Sequence, residues 1–190
     1  MEIALERTES VKSDKAGIGQ FETRQQGKRL ANAFLAGKVS GETVNLEKEI
    51  KNCPKDRLDS LKKGILDILI PQISLPANKE DIPRLEAVGK GLSILINNKN
   101  FVNMYNQFMQ FSSQYLNEVE HYDKAIRQQY APKLRQKEEA LSRQIGREVR
   151  LEPFQDPEFV AFYNQNVSAL KANYQAAADQ VREEAVQRTG

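Results

Sequence analysis

The chain has 190 residues, 39% hydrophobic and 28% charged, with no Trp and a negative mean hydropathy, which suits one elongated, surface-rich body better than two full domains or a compact sphere. Its 28 basic residues nearly cancel its 26 acidic ones, leaving +2, so whole-chain charge singles out no nucleic acid, membrane or acidic partner. The one cysteine, Cys53, excludes an internal disulfide and favours a reducing compartment.

The first residues, Met1-Glu2-Ile3-Ala4-Leu5-Glu6-Arg7, make a short amphipathic start with neither the basic opening nor the apolar run of a signal peptide. Gly17 and Gly19 predict a break in any helix there. Over residues 20–37, Phe21, Leu30, Ala31, Phe34 and Leu35 share one face of a helix that Gly27 weakens and Gly37 closes. A second helix follows Ser40-Gly41, carries Val44, Leu46 and Ile50, and stops near Cys53 because Pro54 disfavours a helical residue before it.

A third helix runs from about Pro54 to Ile70 with a broad stripe through Leu58, Leu61, Ile65, Leu66, Ile68 and Leu69, and Pro71 and Pro76 end it. Asp67, Pro71, Gln72 and Ser74 interrupt the apolar stretch from Gly64 to Leu75, which is too short to span a bilayer. The fourth helix opens near Asp81 and Pro83 and passes through Leu85, Val88, Leu92, Leu95 and Ile96, with Gly89 and Gly91 marking close helix contact. No stretch alternates β-branched with polar residues between turn signals, so strands are not expected.

From Phe101 a seam steps by four and three through Tyr105, Phe108, Ser112, Tyr115, Val119, Tyr122 and Ile126. It continues as Tyr130, Leu134, Leu141 and Ile145, with Pro132 set to kink or split the helix. Asp156-Pro157-Glu158 is a strong start signal for the last helix, whose seam reads Val160, Tyr163, Val167, Leu170, Tyr174, Ala177 and Val181. A short connection over 146–155 turns the two helices into an antiparallel pair, placing Phe159 opposite Ile145 and Arg188 opposite Asn117. On this reading Phe101 to Leu116 packs on the N-terminal helices, and an arm on the order of 45 Å projects beyond.

Chemistry-bearing constellations are sparse. Glu118 and His121 have the spacing of half a di-iron site, but the chain has one histidine and cannot complete it. Cys53 lacks any framing motif for a nucleophile, and Gly89-Lys90-Gly91-Leu92-Ser93 has the letters of a phosphate loop without its spacing or a preceding strand. Between Arg127 and Glu152, seven basic residues face four acidic ones, including Arg143, Arg147 and Arg150, which suits either a solvated face or a phosphate backbone. Val149, Leu151 and Phe154 place apolar side chains in the same connection, as a plug for the helix pair or as a partner-binding tip.

Three short stretches, Ala4-Leu5-Glu6-Arg7-Thr8, Gln26-Gly27-Lys28-Arg29-Leu30 and Asp156-Pro157-Glu158-Phe159, resemble a small bacterial all-helical family with no assigned activity. That resemblance implies a bacterial, cytoplasmic, non-enzymatic protein and transfers no site residues.

The sequence thus points to an all-α protein: an N-terminal helical core over 1–116, of about four helices plus the base of the long helix, and an antiparallel, coiled-coil-like hairpin arm over 117–190. Its expected role is to present the arm to a protein partner through Arg143, Arg147, Val149, Arg150, Leu151 and Phe154. A nucleic-acid or ribosome-associated role for the basic arm is the alternative, and self-association through exposed seam positions is a further candidate. No enzyme activity, cofactor, metal or membrane is expected.

Overall fold

The computed structural model describes the backbone of residues 2–40 and 44–189 and the side chains of 17–37 and 44–189. Ile3, Ala4 and Leu5 of the amphipathic start lie outside the described side chains, and Gly41 lies outside the described residues. The described residues form six α-helices and no strand: α1, Glu2–Ser40; α2, Leu46–Asn52; α3, Leu58–Leu69; α4, Ile82–Ile96; α5, Lys99–Ile145; α6, Pro157–Gln187. Single 3-10 turns occupy Ile70–Gln72, Lys79–Asp81 and Pro153–Gln155. The all-α class read from the sequence is therefore the class observed.

The break expected at Gly17 and Gly19 does not occur, since α1 runs straight through both. Each glycine costs a helix only about 1 kcal/mol, and the Thr23 hydroxyl finds its acceptor within the helix, donating to the Gly19 carbonyl at 2.8 Å. Gly27, expected to weaken the helix, is where α1 crosses α3. A Cβ on Gly27 would sit 2.3 Å from the Leu61 carbonyl oxygen, and one on Gly64 would sit 2.0 Å from that of Arg24. The two backbones touch, and the Arg24 guanidinium straps the crossing by donating to both oxygens of Asp67, at 2.8 and 2.9 Å.

Glycines do the same work in α4, as their spacing implies. The Tyr105 ring lies over Gly89, and Leu69 and Phe34 lie over Gly91. Tyr105 also donates to the Leu85 carbonyl at 2.8 Å, and its burial pushes the phenol well above its usual range. Asp81 departs from its expected role as the cap of α4: its carboxylate instead accepts the N–H of Ala77 and of Asn78, closing the turn ahead of the helix.

The α5 helix is one continuous element through Pro132, opened by the Asn98 side chain, which accepts two main-chain N–H groups, and closed by Gly146 at φ 73°. Antiparallel to it, α6 sets Phe159 on Tyr130 and Tyr174 on Tyr115, with ring centroids 5.2 Å apart in each pair. This corrects the expected register, in which Phe159 faced Ile145. Chain after Gly146 does not turn at once into a helix but runs back along α5 as an extended segment, so α6 begins opposite Tyr130.

The shifted register carries α6 into the base. Ala178, Val181 and Ala185 are buried in the same cluster as Leu61, Ile65, Leu92, Phe101 and Phe108, and the Arg182 guanidinium donates to the Ile73 carbonyl. Pairing is thus not confined to the second half of the long helix: the buried stripe of its first half, Phe101, Tyr105 and Phe108, shares one cluster with Ala178, Val181 and Ala185 of α6 as well as with the N-terminal helices. The inward positions of α6 are also rotated from the read seam, with Phe159 and Ala178 taking the places expected for Val160 and Ala177. A strict three-four repeat drifts against the 3.6-residue turn of a straight helix, which produces this offset at both ends.

Gly64→Ala is expected to lower stability by roughly 2–3 kcal/mol, because the methyl must push the two backbones apart rather than move a side chain. Gly17→Ala, where nothing lies within 4 Å, is expected to raise it by about 0.5–1 kcal/mol. Urea unfolding followed by circular dichroism measures both.

Candidate functional site

At the outer end of the arm, α5, the returning segment and the first turn of α6 meet around Asp156. Its side chain caps α6 by accepting the N–H of Glu158 at 3.1 Å, a role that Asp fills because a short acceptor reaches the free donors of a first turn. The same carboxylate accepts the Tyr130 hydroxyl at 2.8 Å and the Lys137 ammonium at 2.8 and 2.9 Å, although Asp156 is only 5% exposed. Lys137 also reaches Glu158 at 2.9 Å, and Lys133 adds a second cation there at 2.7 Å.

The electrostatics of this cluster are internally balanced. The Lys137 ammonium, helped by Tyr130 and against the cost of burial, holds the Asp156 carboxyl below its usual range, and Asp156 and Glu158 raise Lys137 in return. Lys133 and Lys137 likewise lower Glu158, while burial and then Asp156 raise Tyr130. Every charge has a partner, which describes a fastening more than a reaction centre.

Sequence reading missed this cluster. Asp156 was legible as a cap, Tyr130 as a seam residue and Lys137 as a surface charge. The available signal was that Tyr130 and Lys137 stand seven residues apart on one face of α5 and that a short connection brings a capping acid back to them.

Ahead of Asp156 the extended segment is fastened to α5 by alternate residues. The Val149 N–H donates to the Ser142 hydroxyl at 2.9 Å, and the Leu151 N–H donates to Glu138 at 2.8 Å. Two extended residues span about 6.6 Å and four helical residues about 6.0 Å, so consecutive inward donors meet side chains one helical turn apart.

The six expected partner-binding residues lie within this region and divide into two kinds. Val149 and Leu151 are half-buried, whereas Arg143, Arg147, Arg150 and Phe154 are exposed. Phe154 is 50% exposed, and the rest of its ring is packed edge-on against Phe159 and Tyr163, both at 5.1 Å, beneath the Arg127 guanidinium. Arg150 bonds Glu148 at 3.1 Å, and Arg143 pairs loosely with Glu139 at 3.9 Å.

The basic excess of 127–152 is offset by acids just outside it. Arg127 pairs with Asp123, and Lys133 and Lys137 pair with Glu158 and Asp156. Over 123–158 the count becomes eight basic against seven acidic, which leaves little net field for a phosphate backbone.

Elsewhere, His121 is exposed on α5, and Cys53 caps α2 with a half-buried thiol that burial pushes up. No three His, Cys, Asp or Glu side chains converge as a metal site among the described residues. Among those residues, too, no helix is long and apolar enough to cross a membrane.

Because the Asp156 carboxyl is lowered on folding, its contribution is full above the unfolded carboxylate value, about 3.9, and is lost as pH falls through the lower folded value. Asp156→Ala is expected to cost about 2–4 kcal/mol near neutral pH, as it removes a cap and strands Lys137 and Tyr130. Asp156→Asn, which keeps the cap, is expected to cost less and to flatten the acid limb of a stability–pH curve taken from urea midpoints.

A model of a family of unknown function, DUF6657, matches residues 47–187. No curated protein and no solved structure matches the chain.

Proposed function

Since the chain belongs to the DUF6657 family of unknown function, its role has to come from its geometry, and we propose that it is a non-enzymatic helical interaction protein that presents the outer arm to a protein partner. The observation that carries this reading is Phe154. Half of its ring is anchored by Phe159, Tyr163 and Arg127, and half is open to solvent. An aromatic held in one orientation before binding loses little entropy on contact, which is how binding anchors work.

Further out along the arm, about 24 Å or more beyond Arg127 at 1.5 Å per helical residue, Ile145 is a second exposed apolar side chain and Arg143 and Arg147 are exposed cations. The paired charges of the arm argue against reading it as a track for nucleic acid, and the internally satisfied cluster at Asp156 argues for a rigid support. A single half-buried cysteine suits the reducing interior of a bacterial cell, where we place it.

Phe154→Asp is expected to leave helicity intact and to reduce partner recovery about tenfold or more in crosslinking of the full chain in native lysate, read by quantitative mass spectrometry. Recovery of nucleic acid in place of protein, or of the same proteins with both chains, contradicts the proposal.

A further inference from the structure

We infer that the returning segment of the arm is a pairing edge for a second copy of this chain, which docks antiparallel across Glu148-Val149-Arg150 with a two-fold axis at Val149. The inference does not rest on the role proposed for Phe154, which takes no part in it.

The first ground is the main chain. In an extended segment, the N–H and C=O of one residue point to one side and those of the next to the other. Val149 and Leu151 direct their N–H groups at α5, where Ser142 and Glu138 accept them. Glu148 and Arg150 therefore direct theirs away from it. Among the described residues, neither the N–H nor the C=O of Glu148 or Arg150 makes a hydrogen bond. Such an edge is a template for another strand.

The second ground is charge, and it selects the occupant. With Val149 opposite its own symmetry mate, Glu148 of one copy lies directly opposite Arg150 of the other, and Arg150 opposite Glu148. These are the outward-facing residues, so each pair exchanges both its hydrogen bonds and sets unlike charges side by side. In an isolated copy, Arg150 turns back to bond Glu148 of its own chain at 3.1 Å, with the two side chains 86% and 78% exposed. An exposed pair of that kind contributes little and is readily exchanged for the pair across the axis. Moving the register by one residue in one direction would put Arg147 opposite Arg150, which like charge disfavours. The isologous pairing is the one the sequence Arg147-Glu148-Val149-Arg150 supports.

Sedimentation equilibrium of the full chain over a concentration series tests this, beginning from the monomer mass of 21.6 kDa. The wild type is expected to rise toward twice that mass with concentration. Glu148→Arg and Arg150→Glu, each alone, set like charges across the axis twice and are expected to weaken dimerisation by about tenfold. An equimolar mixture of the two variants restores both unlike pairs between different chains, and dimer is expected to return in it. Arg150→Pro removes an N–H that points away from α5, so it is expected to abolish the dimer with helicity unchanged. A wild type that stays monomeric throughout overturns the inference, as does a dimer that survives Arg150→Pro or a mixture that fails to recover.

Discussion

Asp156 receives the Lys137 ammonium, the Tyr130 hydroxyl and the N–H of Glu158 at once, and the layout of the arm follows from where that carboxylate sits. A buried carboxylate is tolerated only where its charge is met and its lone pairs are filled. On α5 that place is beside Tyr130 and Lys137, well before the helix ends. Helix α6 must begin there, because its own cap is the carboxylate being held. The chain between Ile145 and Asp156 then has to come back along the helix it has just left, and it does so extended, one donor per helical turn.

The same register decides what happens at the far end of α6. Starting opposite Tyr130 brings Tyr174 to Tyr115 and carries Ala178, Val181 and Ala185 into the cluster built by α3, α4 and the first turns of α5. Arg182 then fastens α6 to the turn after α3 through the Ile73 carbonyl. The base is itself set by the contact of Gly27 with Gly64, where two backbones meet without side chains between them. Arm and base are therefore fixed to one another by the last turns of α6.

Much of the architecture is legible in the sequence. The helical class, the start at Asp156-Pro157-Glu158 and the close contacts at Gly89 and Gly91 all follow from periodicity, caps and small residues, whereas the continuity of α5 through Pro132 does not. The continuity of α1 through Gly17 and Gly19 does not follow either, since propensity alone opposes it, and long-range contacts such as the packing of Gly27 on Gly64 and the strap from Arg24 to Asp67 reward it. The register fails for a related reason. A seam states which faces meet but not how far along, and what fixes the offset is a long-range triad of residues, each with an ordinary local explanation. Within the arm end, the apolar and basic residues were legible as candidates, whereas the balance of Arg127, Lys133 and Lys137 by Asp123, Glu158 and Asp156 needed the fold.

The outer arm is thus a helix with a strand-like segment zipped to its side. Its rigidity holds Phe154 half open, and its alternation leaves Glu148 and Arg150 facing outward. Residue-resolved amide hydrogen exchange by NMR, at low protein concentration, reports this arrangement most directly. Slow exchange at Val149 and Leu151 beside fast exchange at Glu148 and Arg150 is the expected pattern. Uniformly fast exchange across all four amides would contradict it, because an unfastened connection protects none of them.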